Sequence, residues 1–249
     1  MRGVVAMKRQ VGSEARKLTT ARSVYAMLAG LLAIVAFGVV AIVSEGSPRP
    51  FPLEQQPFLH VAMTIAPLFG LLLGLRSFTD EFRFGSIVPT LLASPNRVRV
   101  LGAKVVISAA GAVVLTLVAV LASVAIGAPL LAAKGVGIVW SAAGLTTVVA
   151  RMLAASAVWG VIGVGVGLAV RHQVAAIAGT LVWLLAAEGL LSGLVPNVAR
   201  FFPGSAGFAF VGINPGAGFT PAIGAAVLAA YAFVAVLAGG ALMQRRDIA

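Results

Sequence analysis

The sequence has no cysteine, only two histidines and only 10% charged residues. Without cysteine there is no disulfide framework and no thiolate metal site, and thiols give no sign of redox compartment. So little charge excludes an ordinary soluble domain, in which about 25% of residues are charged. Also missing is any G-x-x-x-x-G-K-[ST] phosphate loop, so the chain is not expected to hydrolyse ATP itself. His60 and His172 are expected on opposite sides of a membrane and so share no metal. Serine, histidine and carboxylate side chains form no recognisable catalytic arrangement. No internal repeat and no low-complexity tract is present.

What is abundant is apolar side chain, at 60% of residues, with a mean hydropathy of +1.06. A hydrocarbon core of about 30 Å needs about 20 apolar helical residues per crossing. Six runs approach or reach that length: Ser23–Val43, Phe58 to about Leu75, Val105–Ala128, about Ala150–Val170, Val174–Leu194 and about Ala222–Met243. The first is longer than the apolar core of a signal peptide and reads as an uncleaved span. A Pro-rich connector, "SEGSPRPFPLEQQP", separates the first two runs. Residues 129–149 are mixed and read as a connector with a short interfacial helix. Arg171–His172–Gln173 is short enough for a tight helical hairpin. The expected fold is an all-α polytopic membrane protein: an interface segment 1–22, then a transmembrane domain 23–249.

The formal charge of +11 comes from basic residues scattered among loops rather than gathered in one stripe, which argues against a nucleic-acid partner. Placing the N-terminus in the cytoplasm puts 14 of the 18 basic residues on that side: Arg2, Lys8, Arg9, Arg16, Lys17, Arg22, Arg76, Arg83, Arg97, Arg99, Lys104, Arg171, Arg245 and Arg246. Only Arg49, Lys134, Arg151 and Arg200 fall outside. This asymmetry predicts that both termini are cytoplasmic.

Three segments interrupt the apolar pattern. In "MKRQVGSEARKLTTARS", Val11, Ala15 and Leu18 share one helical face and Lys8, Arg9, Arg16 and Lys17 cover much of the rest. Such a helix is expected in the inner headgroup layer, against membrane lipid. The stretch "DEFRFGSIVPTLLASPNRVRVLGAK", Asp80 to Lys104, is far longer than a hairpin turn requires. It reads as a short helix, a Ser-Pro-Asn turn and a lead-in to the third span, with Phe82 and Phe84 presented between charges. The connector 195–221, rich in Phe and Gly, reads as a re-entrant helix or an interfacial loop.

Within the spans, the glycines of "GVIGVGVG" follow no strand, and Gly163 and Gly167 have the small-xxx-small spacing of packed helices rather than that of a dinucleotide loop. Glu188 is an ionisable residue inside the fifth span. Arg151, at a similar depth in the neighbouring fourth span, is the expected partner of an ion pair; alternatively Glu188 faces a transport path.

Glu81, Gly85, Ser86, Ile87, Thr90, Leu91, Leu92, Ser94, Pro95, Arg97, Leu101 and Lys104 together resemble the loop between the second and third spans of ABC type-2 exporter permeases. In those proteins a Glu, a Gly-Thr, a Leu-Leu, a Pro, a basic residue and a Lys follow in that order, and Ser86 stands where Thr is commoner. "SEARKLTTARS" resembles the family's interface helix, and "ARFFPGSAGFAF" its loop before the last span. The resemblance implies that the coupling loop 76–104, through Asp80, Glu81, Phe82, Arg83, Phe84, Gly85 and Ser86, and the interface helix, through Glu14, Arg16 and Lys17, rest on a separate ATP-binding subunit. It implies further that ATP and magnesium are held there, with no cofactor on this chain. A second permease chain, identical or similar, would complete the path for a hydrophobic or amphipathic substrate across the bacterial cytoplasmic membrane. The alternatives are a stand-alone secondary carrier, or an anchor or sensor that recruits a soluble protein through residues 80–104.

Overall fold

The structure, a computed structural model, describes residues 2–45, 56–93, 96–137, 141–213 and 219–245. Among these residues it is helical and contains no strand. The Pro-rich connector with Arg49, the Ser94–Pro95 turn, residues 214–218 of the outer connector and the tail with Arg246 lie outside the described residues. In chain order the helices are α1 Arg2–Thr20, α2 Arg22–Glu45, α3 Pro57–Arg83, α4 Ile87–Ala93, α5 Arg97–Ala133 and α6 Ala142–Val170. Then come α7 Gln173–Val182, a π-helical turn Trp183–Ala187, α8 Glu188–Leu194, α9 Pro196–Ala199, α10 Pro203–Val211 and α11 Pro221–Arg245. Six of these segments are long and apolar enough to cross a membrane, the stretch Gln173–Leu194 counting as one. The chain is a multi-pass helical membrane protein.

Several helices are longer than the apolar runs that announced them. The second span continues past Leu75 to Arg83, so Asp80–Arg83 is the last turn of α3 and not loop. An Arg76–Asp80 pair, 2.9 Å apart and one turn along the helix, supports that extension. The third span runs to Ala133 with Pro129 inside it, and α6 begins at Ala142, where the Ser141 side chain accepts the Gly144 N–H at 3.2 Å. The connector foreseen across 129–149 therefore shrinks to a few residues, and no interfacial helix separates the two spans among those described. The outer segment 195–221 holds α9 and α10.

The centre of the bundle is α3, packed chiefly against α6 and α5. A Cβ on Gly163 or Gly167 would fall on the backbone carbonyls of Leu71 and Leu75, and one on Gly74 would fall on that of Gly160. Only glycine permits backbones to meet this closely, and in lipid such close packing drives helix association. α6 turns into α7 through Arg171, which adopts the left-handed conformation (φ 61°), and His172, whose Nδ1 accepts the Ala175 N–H at 3.2 Å. At the same end of the bundle an Arg97 guanidinium N–H donates to the Met243 carbonyl, so the start of α5 meets the end of α11. This is the end at which α2, α5 and α7 begin and α3, α6 and α11 finish; it is called the near end below. At the far end Lys134 donates to the carbonyls of Val43 and Ser44, closing the last turn of α2.

Gly163→Val should destabilise the detergent-purified protein by about 1–3 kcal/mol, because the new side chain cannot fit without parting α3 from α6. Gly12, in α1, has open space where its Cβ would be. Gly12→Ala should therefore stabilise by about 0.5–1 kcal/mol. Thermal unfolding of both variants beside the wild type checks the contrast.

Candidate functional site

Charge inside this apolar bundle collects at the near end, where α1, α3 and α5 meet. α1 turns Met7, Val11, Glu14, Ala15 and Leu18 inward, while Arg16 stays exposed. The apolar stripe foreseen for the headgroup layer is thus turned toward the protein. Met7 lies beside Gly102 and Leu18 beside Gly111, both on α5. Glu14 is the polar member of that inward face, and it is buried.

Four side chains close a network there. Glu14 Oε1 accepts from Lys17 Nζ at 2.8 Å, and its Oε2 from Lys104 Nζ at 2.9 Å. Glu81 Oε1 accepts from Lys17 Nζ at 2.6 Å and forms an ion pair with Lys104 Nζ at 2.9 Å. Two carboxylates and two ammonium groups balance in charge, which is what allows them out of water together. The Lys104 side chain is only 1% exposed; it also donates to the Ser77 carbonyl at 2.7 Å and lies 5.0 Å from the centroid of the Phe78 ring. Burial pushes the Glu14 carboxyl up, yet Lys104 and Lys17 outweigh it and hold the group below its ordinary value of 4.5. Burial pushes Lys17 down, and its bonds to Glu14 and Glu81 outweigh that, raising it above its ordinary 10.5.

A second network flanks the first. Asp80 pairs with Arg76 and accepts from Gln173 Nε2 at 2.8 Å, and Gln173 Oε1 accepts from Arg83 at 2.8 Å. Phe82 is half-buried with the Arg171 guanidinium 5.1 Å from its ring centroid. The foreseen contact residues therefore divide. Asp80, Glu81 and Phe82 are engaged within the chain, whereas Arg83, Phe84 and Gly85 are exposed. Gly85 takes φ +67°, and Ser86 begins α4 by accepting the Thr90 N–H and hydroxyl. Ile87 anchors α4 under Phe78, Leu101, Val164, Leu168 and Met243. Val88 and Leu92, one turn apart, face outward, Leu92 being 80% exposed and Phe84 71%.

The expected Glu188–Arg151 ion pair does not form. Glu188, 5% exposed, accepts from the first N–H groups of α10 instead: Gly204 at 3.1 Å, and Ser205 through its N–H at 2.7 Å and its hydroxyl at 3.2 Å. The free amides and positive dipole end of a helix attract a carboxylate as a cation does. Arg151 is half-buried near Gly212. Among the described residues no group of three or more His, Cys, Asp or Glu is placed to hold a metal ion.

Residues 24–249 match a family described as "Protein of unknown function (DUF2705)". The chain belongs to this family. No curated protein matches it. The DUF2705 match takes in all but the first two residues of the six spans and two members of the charge network, Glu81 and Lys104. Glu14 and Lys17 precede it.

Lys104→Met leaves two buried carboxylates facing one half-exposed lysine, and should cost about 3–5 kcal/mol of stability. Adding Glu81→Gln restores the charge balance and should recover part of that loss in the same denaturant titration. pH acts with opposite signs at the two ends of the scale. The stabilisation from Glu14, whose carboxyl is depressed in the folded state, is present above 4.5 and lost as pH falls through the folded value. That from Lys17 is present below 10.5 and lost as pH rises through its raised value. Melting temperature against pH should fall in both windows, and Glu14→Gln should flatten the acid limb.

Proposed function

We propose that this chain is the membrane-spanning permease subunit of an ABC exporter, carrying a hydrophobic or amphipathic substrate at the expense of ATP hydrolysed on a separate subunit. The observation that carries the reading is the pairing of an exposed apolar tip with a buried charge network directly behind it. Phe84, Val88 and Leu92 stand exposed at the turn between α3 and α5. At an end of the bundle that the basic residues assign to the cytoplasm, such a patch calls for a protein partner. Glu81, one turn back on α3, is bonded to α1 and α5 at once, so a push on the tip reaches three helices.

On this reading the bacterial cytoplasmic membrane holds two such chains, identical or similar, with both termini cytoplasmic. The ATP-binding subunits and their magnesium lie beneath, and the chain is not an enzyme in its own right. Phe84 and Leu92 make the contact; Glu81, Lys104, Glu14 and Lys17 transmit it.

The test is purification of the native protein in mild detergent, identification of what accompanies it, and an ATPase assay. An ATP-binding subunit should co-purify with the wild type and be lost from Phe84→Asp/Leu92→Asp. Glu81→Gln should keep the subunit but lose at least about ten-fold in substrate transport per ATP hydrolysed, as expected when an interaction of some 1.4 kcal/mol is removed from the coupled step. An ATPase-free protein, indifferent to all these changes, would sink the exporter reading and favour a stand-alone carrier.

A further inference from the structure

At the far end a cavity of about 300 Å³ opens between α3, α6, the π-helical turn with α8, and α10. Its walls are mostly apolar, with Pro67, Leu68, Trp159, Leu184 and Phe208 among them, and Glu188 lines it together with Thr64, Ser192 and Ser205. That volume lies at the lower end of the range for small-molecule sites. No Lys, Arg or His is among the described residues that line it. We infer that it is a binding site for a small organic cation, an ammonium group carrying an apolar ring or chain.

Charge balance leads to this ligand class. Glu188 is almost fully buried, and its three donors all come from the first residues of α10. A helix N-terminus supplies roughly half a positive charge, so about half of the carboxylate's charge stays uncompensated in apolar surroundings. Uncompensated charge there is costly, and intramembrane ionisable groups are typically paired or functional. A carboxylate has about four acceptor positions, which leaves room for one more donor from the cavity side. An ammonium group would supply both the donor and the missing charge. Trp159 and Phe208 offer rings that attract a cation and bury the apolar remainder of the ligand. The π-helical turn ending at Ala187 sets the start of α8, and so Glu188, at this wall; such turns recur at functional sites. As the substrate class of the exporter, the inference rests on the preceding reading; as a binding site it stands alone.

The probe is 1-aminoadamantane, protonated at neutral pH, against the similarly shaped neutral 1-adamantanol, by equilibrium dialysis on the full chain in detergent. The amine should bind the wild type at least about ten-fold more tightly than the alcohol, and Glu188→Gln should erase that preference. Gln keeps an acceptor oxygen for the α10 amides, so the fold should survive, and gel filtration reports whether it does. Thr64→Phe fills the cavity and leaves Glu188 in place. The Thr64 hydroxyl bonds only to His60 of its own helix, so no contact between helices is lost, and both ligands should fall away.

Equal binding of amine and alcohol, or amine binding unchanged in Glu188→Gln, would overturn the site. Should Glu188→Gln fail to fold, amine binding unchanged in Thr64→Phe would overturn it as well. Repeating the measurement in nanodiscs separates the two sources of such a cation. Competition by phosphatidylethanolamine but not by phosphatidylglycerol would support the site and make a lipid headgroup its occupant. Amine binding equal in both would support it and make a free amine the occupant. A protein that binds the amine but brings down no ATPase would refute the exporter reading and leave the site standing.

Discussion

In a hydrocarbon solvent helices gain nothing by hiding apolar surface from one another, so a bundle holds together where backbones come close. Here that constraint is met by the approach of α6 to α3. Gly160, Gly163 and Gly167 present a smooth strip, and Leu71, Gly74 and Leu75 of α3 lie directly on it. Everything else is arranged around this contact. It places α3 at the centre, and α5 packs on the pair from another side. Gly165 and Gly239 extend the same solution to the seam between α6 and α11, where Ala235 and the Gly165 carbonyl leave no room for a Cβ.

A buried α3 has a consequence for its last turns. They emerge from the apolar layer still packed on both sides, so the polar residues they carry must find partners inside the protein. Asp80 finds Arg76 and Gln173; Glu81 finds Lys17 and Lys104. α1 is 19 residues long, and isolated helices only a little shorter are marginal in water. Glu14 ties α1 to the bundle through Lys104, so the helix is ordered by the same ions that neutralise the end of α3. The two acids and two bases form one unit, and none of them can be assigned a separate energy.

Much of this was legible in sequence, and what was not has identifiable causes. Run length gave all six spans, because apolar composition and helix rise set the crossing length. Gly163 and Gly167 were readable as packing residues because their spacing repeats on one face. Helix ends were not readable where polar residues continue a helix beyond its apolar run, as at Asp80–Arg83 and Arg97–Lys104. Glu14 was expected to rest on a separate subunit, since nothing local shows that Lys104, 90 positions away, lies opposite it within the chain. The partner of Glu188 was sought among cations, when it is the start of a helix. The "FPGSAG" stretch carried that signal: a proline at the first helical position marks a helix start with free amides behind it.

The same central helix reaches two places where charge enters the bundle. Thr64, Pro67 and Leu68 line the cavity beside Glu188, and Glu81 lies in the near-end network. From Thr64 to Glu81 is about 25 Å along one helix at 1.5 Å per residue. Pro67 removes a hydrogen bond from α3 at the level of the cavity, the usual place for such a helix to bend. Below Pro67 the helix is clamped against α6 by backbone contact at Leu71, Gly74 and Leu75, so that part moves as one piece with its neighbour. A displacement applied at the Asp80 end would therefore not be absorbed along the clamped stretch. It would reach Pro67 and change the cavity wall there. On the exporter reading, this is how a soluble subunit at one face would act on a ligand near the other, without any chain of side chains between them.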